Sequence, residues 1–483
     1  MASNGVQKIK IARKNRTMNK DRMIAYGLIL LLIVRLLAMV WVPLTDPTEA
    51  RYAEIARKMV ETGNWITPQF DYGIPFWAKP PLHTWLSALG IAAFGPTAFA
   101  ARLGILLVTI ATLAILWRWG CAVSTRRTAS VAVLMTASSG LFFVSAAFVQ
   151  TDMVLTLGVV ASMAGFYGGL KGERRWGWLF FLGIAIGLLG KGPVAVVLSS
   201  FPILVWMAWR GGWRDLRRLP WVGGIALCTA LVVPWYVLAE AATPGFLRYF
   251  LIGEHIERFL QPGWTGDLYG SGREHPKGTI WLFWIVATLP WSPLLPLLIW
   301  RQRKASRAKD DGLGLYLLLF ALTPLIFFTA AANILIAYVL PGVPAAALLA
   351  AIRWKQAGGK GTNWLVFGVG EIVIIAVGLI AISPPALNTS LLPSEELLLD
   401  NYSSSHRIAM LYPRSFSAEF YTRGKIVKLK TVDELAAWLA PGDEVLVHKD
   451  QQSKVEARLG TTLESVAADK DYVLFVCRSG VGT

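Results

Sequence analysis

Apolar residues are gathered into eleven long stretches, near 24–44, 98–120, 128–148, 153–170, 176–190, 193–209, 219–239, 278–300, 313–331, 337–352 and 364–383. Most approach the roughly 20 residues that a helix needs to cross a bilayer core, and the shorter ones can tilt or pair closely. Short polar connectors separate most of them. Three polar regions are longer: 45–97, 240–277 and 384–483. The pattern predicts an α-helical polytopic membrane protein with about eleven transmembrane helices. The run from Met23 to Val42 is long enough to span, and no small-residue cleavage site precedes Pro43, so it is expected to be a retained anchor.

Within the first long region, Glu49 to Thr62 has the period of an amphipathic helix, with Ile55, Met59 and Val60 on one side. Gly63 and Asn64 should end it. Pro80 to Phe94 reads as a second, very apolar helix lying in the membrane interface; read instead as a span, it would invert all later loops. After Pro384 and Pro385 the chemistry becomes that of a soluble domain, with 11 Lys and Arg against 13 Asp and Glu. There Ile408–Tyr412, Ile426–Leu429, Val445–His448 and Tyr472–Cys477 read as strands. Thr431 and Glu434 form a capping-box pair ahead of a short helix reaching Leu439. The expected domains are therefore a membrane part over 1–383, with 45–97 as its first large outer loop, and a small extracytoplasmic α/β domain over 384–483.

Composition strengthens the membrane reading. Hydrophobic residues are 55% and charged residues 16% of the 483-residue chain, and its 21 tryptophans suit membrane–water interfaces. Three scattered cysteines, with no CxxC pair, announce no zinc or iron–sulfur site. The net charge of +17 has a topological origin. Threading the spans from a cytoplasmic N-terminus puts 25 Lys and Arg and five acids on the cytoplasmic side, which fixes orientation by the positive-inside bias. Nucleic acid is not an expected partner; membrane lipids are.

In this orientation, polar groups from five separate segments reach the outer face: Asp46, Glu49, Arg51 and Glu54; Lys79; Asp152; Lys191; and His255, Glu257 and Arg258. Charge at membrane level is costly and therefore informative. Such a set suits sugar transfer from a lipid phosphate. Cations stabilise charge on the departing phosphate, and a carboxylate takes the proton of the incoming hydroxyl. The donor carries no nucleotide, and the chain has no Walker A loop. Plainer readings exist: Asp46-Pro47 can simply open a turn, Lys79 can snorkel, and Asp152 can cap the span from Met153. Lys191 lies between Gly190 and Gly192 and before Pro193, an expensive setting for a lysine that meets no anion.

The segment Asp46-Pro47-Thr48-Glu49-Ala50-Arg51-Tyr52-Ala53-Glu54-Ile55 resembles the first-loop acidic motif of ArnT-type glycosyltransferases and their protein O-mannosyltransferase relatives. The resemblance continues through Gly63 to Pro68, Ala78-Lys79-Pro80, Thr151-Asp152, Lys191-Gly192, Glu254 to Phe259, Leu289-Pro290-Trp291 and Tyr338 to Pro341. It covers about residues 45–345 and extends to the small C-terminal domain. It implies the GT-C fold and a polyprenyl-phosphate sugar donor. It also implies a single inverting displacement at the periplasmic side of the bacterial inner membrane. The acceptor would be lipid A or another envelope glycan, with protein as an alternative. An outer-face acid, Asp46 or Glu49, would be the base and Asp152 would support it. Lys79, Lys191 and Arg258 would meet the donor phosphate. Arg51, Tyr52, His255 and Tyr338 would complete the substrate site.

Three departures stand out. The family's adjacent Asp-Glu is Thr48-Glu49 here, with Asp46 two residues earlier. The glutamate before the loop lysine, a metal contact in ArnT, is Ala78, which disfavours a divalent metal, and no other cofactor is implied. The Lys-Leu-Pro ahead of the tyrosine is Ile334-Leu335-Ile336, which leaves the sugar unnamed. A transporter or flippase for a lipid-linked sugar is the competing class; it should place its polar groups near the bilayer midplane on broken helices.

Overall fold

The computed structural model describes residues 2–270, 273–294, 296–297, 312–358, 363–382, 394–399, 406–460 and 462–478. The basic segment 301–309 and the Pro384-Pro385 boundary lie outside the described residues. The chain divides into two compact units. One comprises 1–36, 75–83 and 105–375; the other comprises 37–74, 84–104 and 376–483. The C-terminal domain thus shares its unit with most of the first long loop.

The first unit is helical. Among the described residues, five helices are long and apolar enough to cross a membrane: Asp21–Trp41, Ala98–Val123, Thr151–Leu170, Trp221–Ala242 and Ile336–Gln356. Shorter apolar helices include Val194–Arg210 and Leu313–Thr329. The Thr151–Leu170 helix is buried at every position, which makes it the axis of the unit. Small residues let the Arg174–Gly190 helix press against it. A Cβ added at Gly158 would lie 2.7 Å from the Gly187 nitrogen, and one added at Gly165 would lie 2.3 Å from the Phe180 nitrogen. Backbones this close gain dispersion contact where burial against lipid supplies little driving force. Further along, buried Trp119, Tyr167, Trp206 and Tyr316 pack edge-on, and the Tyr316 hydroxyl donates to the Met163 carbonyl at 2.7 Å.

The apolar stretch 128–148 forms two helices rather than one, Arg126–Ala137 and Gly140–Ser145. The break falls at Ser138 and Ser139, whose hydroxyls bond back to the Leu134 and Met135 carbonyls. Such back-bonding bends helices. The Gly140 N–H is then satisfied by the Leu289 carbonyl at 2.9 Å.

The second unit contains a helix over Thr48–Thr62, closed by Gly63 in the left-handed region at φ +67°. It also holds a five-stranded sheet of β1 (Ile408–Leu411), β2 (Val427–Leu429), β3 (Glu444–His448), β4 (Leu463–Ala468) and β5 (Tyr472–Cys477). The order is β2-β1-β3-β5-β4. β1 runs parallel to β2 and β3, while β5 runs antiparallel to β3 and β4. Alternate residues fill opposite faces: Ala409, Leu411, Val445 and Val447 on one, Ile408, Met410, Leu446 and Leu474 on the other. The Thr431 hydroxyl accepts from the Glu434 N–H at 3.1 Å, capping helix Val432–Trp438.

Candidate active site

In the first unit, chain segments far apart in sequence meet around a cavity of about 150 Å³. Lys79 arrives on a loop pinned at several points. The Tyr269 hydroxyl donates to the Pro75 carbonyl at 2.7 Å and accepts from the Trp77 N–H at 3.0 Å, while the Trp77 indole donates to Thr243 Oγ1 at 3.0 Å. Lys79 Nζ then donates to its neighbour's carbonyl, Ala78 O, and to Glu254 Oε2, each at 2.7 Å.

Glu254 and Arg258 sit one helical turn apart, where i,i+4 side chains touch. Arg258 Nη1 donates to Glu254 Oε1 at 3.1 Å and lies 3.2 Å from Asp267 Oδ2. Burial would raise the Glu254 pKa, but the charges of Lys79 and Arg258 outweigh it and hold the carboxyl below its ordinary range. The segment Tyr249–Glu257 is a π-helix, a wide turn often found at functional sites. Its end is fixed by Asn333, whose Nδ2 donates to the Arg258 and Gln261 carbonyls at 2.7 and 2.9 Å.

Lys191 follows the end of the Arg174–Gly190 helix. Its ammonium bonds the Asp152 carboxylate and stands 4.3 Å from the centre of the Tyr338 ring. Asp152 opens the fully buried helix, and both charges are almost wholly removed from solvent. The cavity wall therefore has a polar side of Lys79, Lys191, Glu254, His255, Arg258, Asn333 and Tyr338, and an apolar side of Pro193, Val194, Val197, Phe259, Phe327 and Phe328. Among the described lining residues, Lys79, Lys191 and Arg258 face one carboxylate, that of Glu254.

The structure thus brings Lys79, Lys191, His255, Arg258 and Tyr338 to one cavity, with Asp152 holding Lys191. No role for Glu254, Asp267 or Asn333 follows from the sequence alone. The i,i+4 spacing of Glu254 and Arg258 was the available signal for the first; Asn333 carried none.

The acidic-motif residues Asp46, Glu49, Arg51 and Tyr52 belong to the second unit. Glu49 is fully buried and bidentate with Arg102, at 2.8 Å from Nε and 2.7 Å from Nη2. Asp46 is half-buried. It accepts from the Ser415 hydroxyl at 3.1 Å and from the Phe416 and Ser417 N–H groups at 3.0 Å each. Burial raises the Asp46 pKa, and these bonds only partly counter it. The Arg51 guanidinium lies 5.3 Å from the Tyr52 ring centre.

Behind these residues runs a charge network unseen in the sequence. Arg57 joins Glu54 and Glu61; Lys58 joins Glu54 and Glu419; Arg414 joins Glu419 and Asp71; Lys428 joins Asp71 and Glu419. Four cations balance four acids, so charges that are mostly buried remain neutral as a set.

A sequence profile for dolichyl-phosphate-mannose-protein mannosyltransferases matches residues 23–250. Undecaprenyl phosphate-α-4-amino-4-deoxy-L-arabinose arabinosyl transferase of Erwinia tasmaniensis is 31% identical over 353 residues, covering 70% of this chain and 60% of that protein. The protein of the same name from Aeromonas hydrophila is 32% identical over 367 residues, covering 71% and 63%. The chain thus spans about 60% of the length of the curated relatives it matches. The crystal structure of ArnT from Cupriavidus metallidurans bound to undecaprenyl phosphate superposes with a TM-score of 0.74 at 19% identity, covering 94% of this chain and 97% of that one.

The architecture is the GT-C fold, a multi-pass helical membrane scaffold with a small C-terminal sheet domain. In sequence the chain is similar to aminoarabinose transferases over about 70% of its length, and in fold it is similar to ArnT.

Proposed function

We propose that this chain is a glycosyltransferase that moves a sugar from polyprenyl phosphate to a hydroxyl or phosphate of an extracytoplasmic acceptor, lipid A or another envelope glycan. The reading places it in the bacterial inner membrane, with the reaction on the periplasmic side. The observation that carries it is the divided cavity: Lys79, Lys191 and Arg258 on one side, Val194, Val197, Phe259, Phe327 and Phe328 on the other. That division matches a phosphate joined to a hydrocarbon chain.

The bond from the anomeric carbon to the phosphate oxygen breaks, and the electron pair leaves with the lipid phosphate. Lys79 and Arg258 are held by Glu254 at the departing group, and Lys191 is aimed by Asp152. Cations already fixed by carboxylates stabilise that growing charge without reorganising. Lys79 has a third N–H beyond the two bonded to Ala78 and Glu254. The acceptor oxygen forms the new bond, and its proton passes to a carboxylate. Asp46 is the better candidate: its raised pKa makes it the stronger base, whereas Glu49 is locked on Arg102.

Membranes containing the chain test this when supplied with polyprenyl-phosphate sugars and envelope lipids. Free polyprenyl phosphate and a sugar-shifted acceptor should appear together. Intact donors, with labelled lipid-linked sugar changing leaflet, would make the protein a flippase instead.

A further inference from the structure

His255 has a geometry that phosphate binding alone does not explain. Each ring nitrogen faces a backbone carbonyl oxygen: Nδ1 lies 2.7 Å from Phe250 O, and Nε2 lies 3.2 Å from Lys191 O. A neutral imidazole has one N–H and can donate to only one of them; an imidazolium donates to both. The second carbonyl belongs to the turn that presents Lys191. That turn rests directly on the histidine. Gly192 has φ +90°, and a Cβ there would lie 2.5 Å from Phe250 Cζ and 3.1 Å from His255 Cε1. The Phe250 and His255 rings meet edge to face at 4.6 Å.

Charged and titratable groups approach His255 from every side. Glu254 and Arg258 come from its own segment, Lys79 from its loop, and Lys191 from the turn, with Asp152 behind it and Tyr338 beneath it. Burial holds the imidazole pKa below its ordinary value, and the Lys79 charge adds to that. An arriving anion opposes the Lys79 charge.

We propose that His255 is a positioning residue whose protonation is coupled to the donor anion. The phosphodiester draws one proton from solvent onto the ring, and the imidazolium, donating to both carbonyls, sets the Lys191 turn against the phosphate. This rests on the reading of the cavity as a lipid-phosphate site. The sign follows from linkage. The histidine pKa is higher in the complex than in the empty protein. Binding therefore takes up a proton at pH values between the two, and affinity falls as pH rises through that window.

The test is calorimetry on the full chain in detergent, with a polyprenyl phosphonate monoester as probe. That ligand stays a monoanion across the range. Titrations in two buffers of different ionisation heat read proton uptake directly. Wild type should take up part of a proton and lose affinity by as much as about tenfold per pH unit. His255→Gln, which can still make one of the two bonds, should take up none and bind independently of pH. Tight binding by wild type with no proton uptake overturns the proposal, as does uptake that persists in His255→Gln. No binding at any pH removes the lipid-phosphate reading itself, and this proposal with it.

Discussion

Arg102 grips Glu49 across 53 residues of sequence, through two bonds of 2.8 and 2.7 Å, and both side chains are shut off from solvent. The same guanidinium donates to the Met39, Val42 and Pro43 carbonyls. It therefore ties the end of the first helix to the start of the next. Removing one partner of a buried pair leaves an uncompensated charge, at about 3–5 kcal/mol. Glu49→Ala should lower thermal stability in detergent by that order and reduce the yield of inserted protein. A variant with wild-type stability and no activity would give Glu49 a chemical role instead.

Asp46 is predicted to be the base. Asp46→Asn should lower kcat by about 10²–10⁴-fold in protein that remains folded. Its pKa is raised, so the acidic limb of the wild-type pH–rate profile should lie above the usual carboxylate range. Ser415→Ala removes a donor to the carboxylate and should move that limb further up while leaving activity. Near-normal turnover in Asp46→Asn would reduce Asp46 to an anchor for the turn at Ser415–Ser417.

Acid stability should trace to Glu419. Burial pushes its pKa up, but the bond from Arg414 and the charges of Lys58, Arg414 and Lys428 outweigh it and hold the pKa below the ordinary value. Its contribution to stability is therefore complete above the ordinary glutamate range and is lost as pH falls through the lowered value. Unfolding temperatures measured against pH should drop on the acid side for wild type and drop less for Glu419→Gln. Equal slopes would remove Glu419 from the account.

The close approach of two helices makes a packing prediction. Gly165→Ala puts a carbon 2.3 Å from the Phe180 nitrogen, so the helices must part. Overpacking of this kind costs about 1–3 kcal/mol. A melting temperature equal to wild type would show that the seam is looser than the structure has it.

Local signals in the sequence correspond closely to what the chain does locally. Gly63 closes the 48–62 helix in the left-handed region, and Thr431 caps the helix at Glu434, because each depends on residues within one turn. The cavity residues Lys79, Lys191 and Arg258 stood out because a charge near hydrocarbon needs a partner. Tertiary partners were hidden. Nothing near Glu49 points to Arg102, and nothing near Asp46 points to Ser415 some 369 residues away. Strand β4 escaped notice because Leu463–Ala468 is an edge strand with mostly exposed side chains and no clean alternation. The break at Ser138 was hidden because serines that bond their own helix look apolar in a hydropathy window.

The three cations of the cavity, Lys79, Lys191 and Arg258, carry the proposed transfer. The decisive measurement uses purified protein in vesicles with one polyprenyl-phosphate sugar and one envelope glycolipid, counting both products by mass spectrometry. Wild type should release one polyprenyl phosphate for each glycosylated acceptor. Lys79→Ala and Arg258→Ala should each lower that rate by about 10²-fold or more. Equal rates in all three proteins, or donor loss without a glycosylated acceptor, would contradict it.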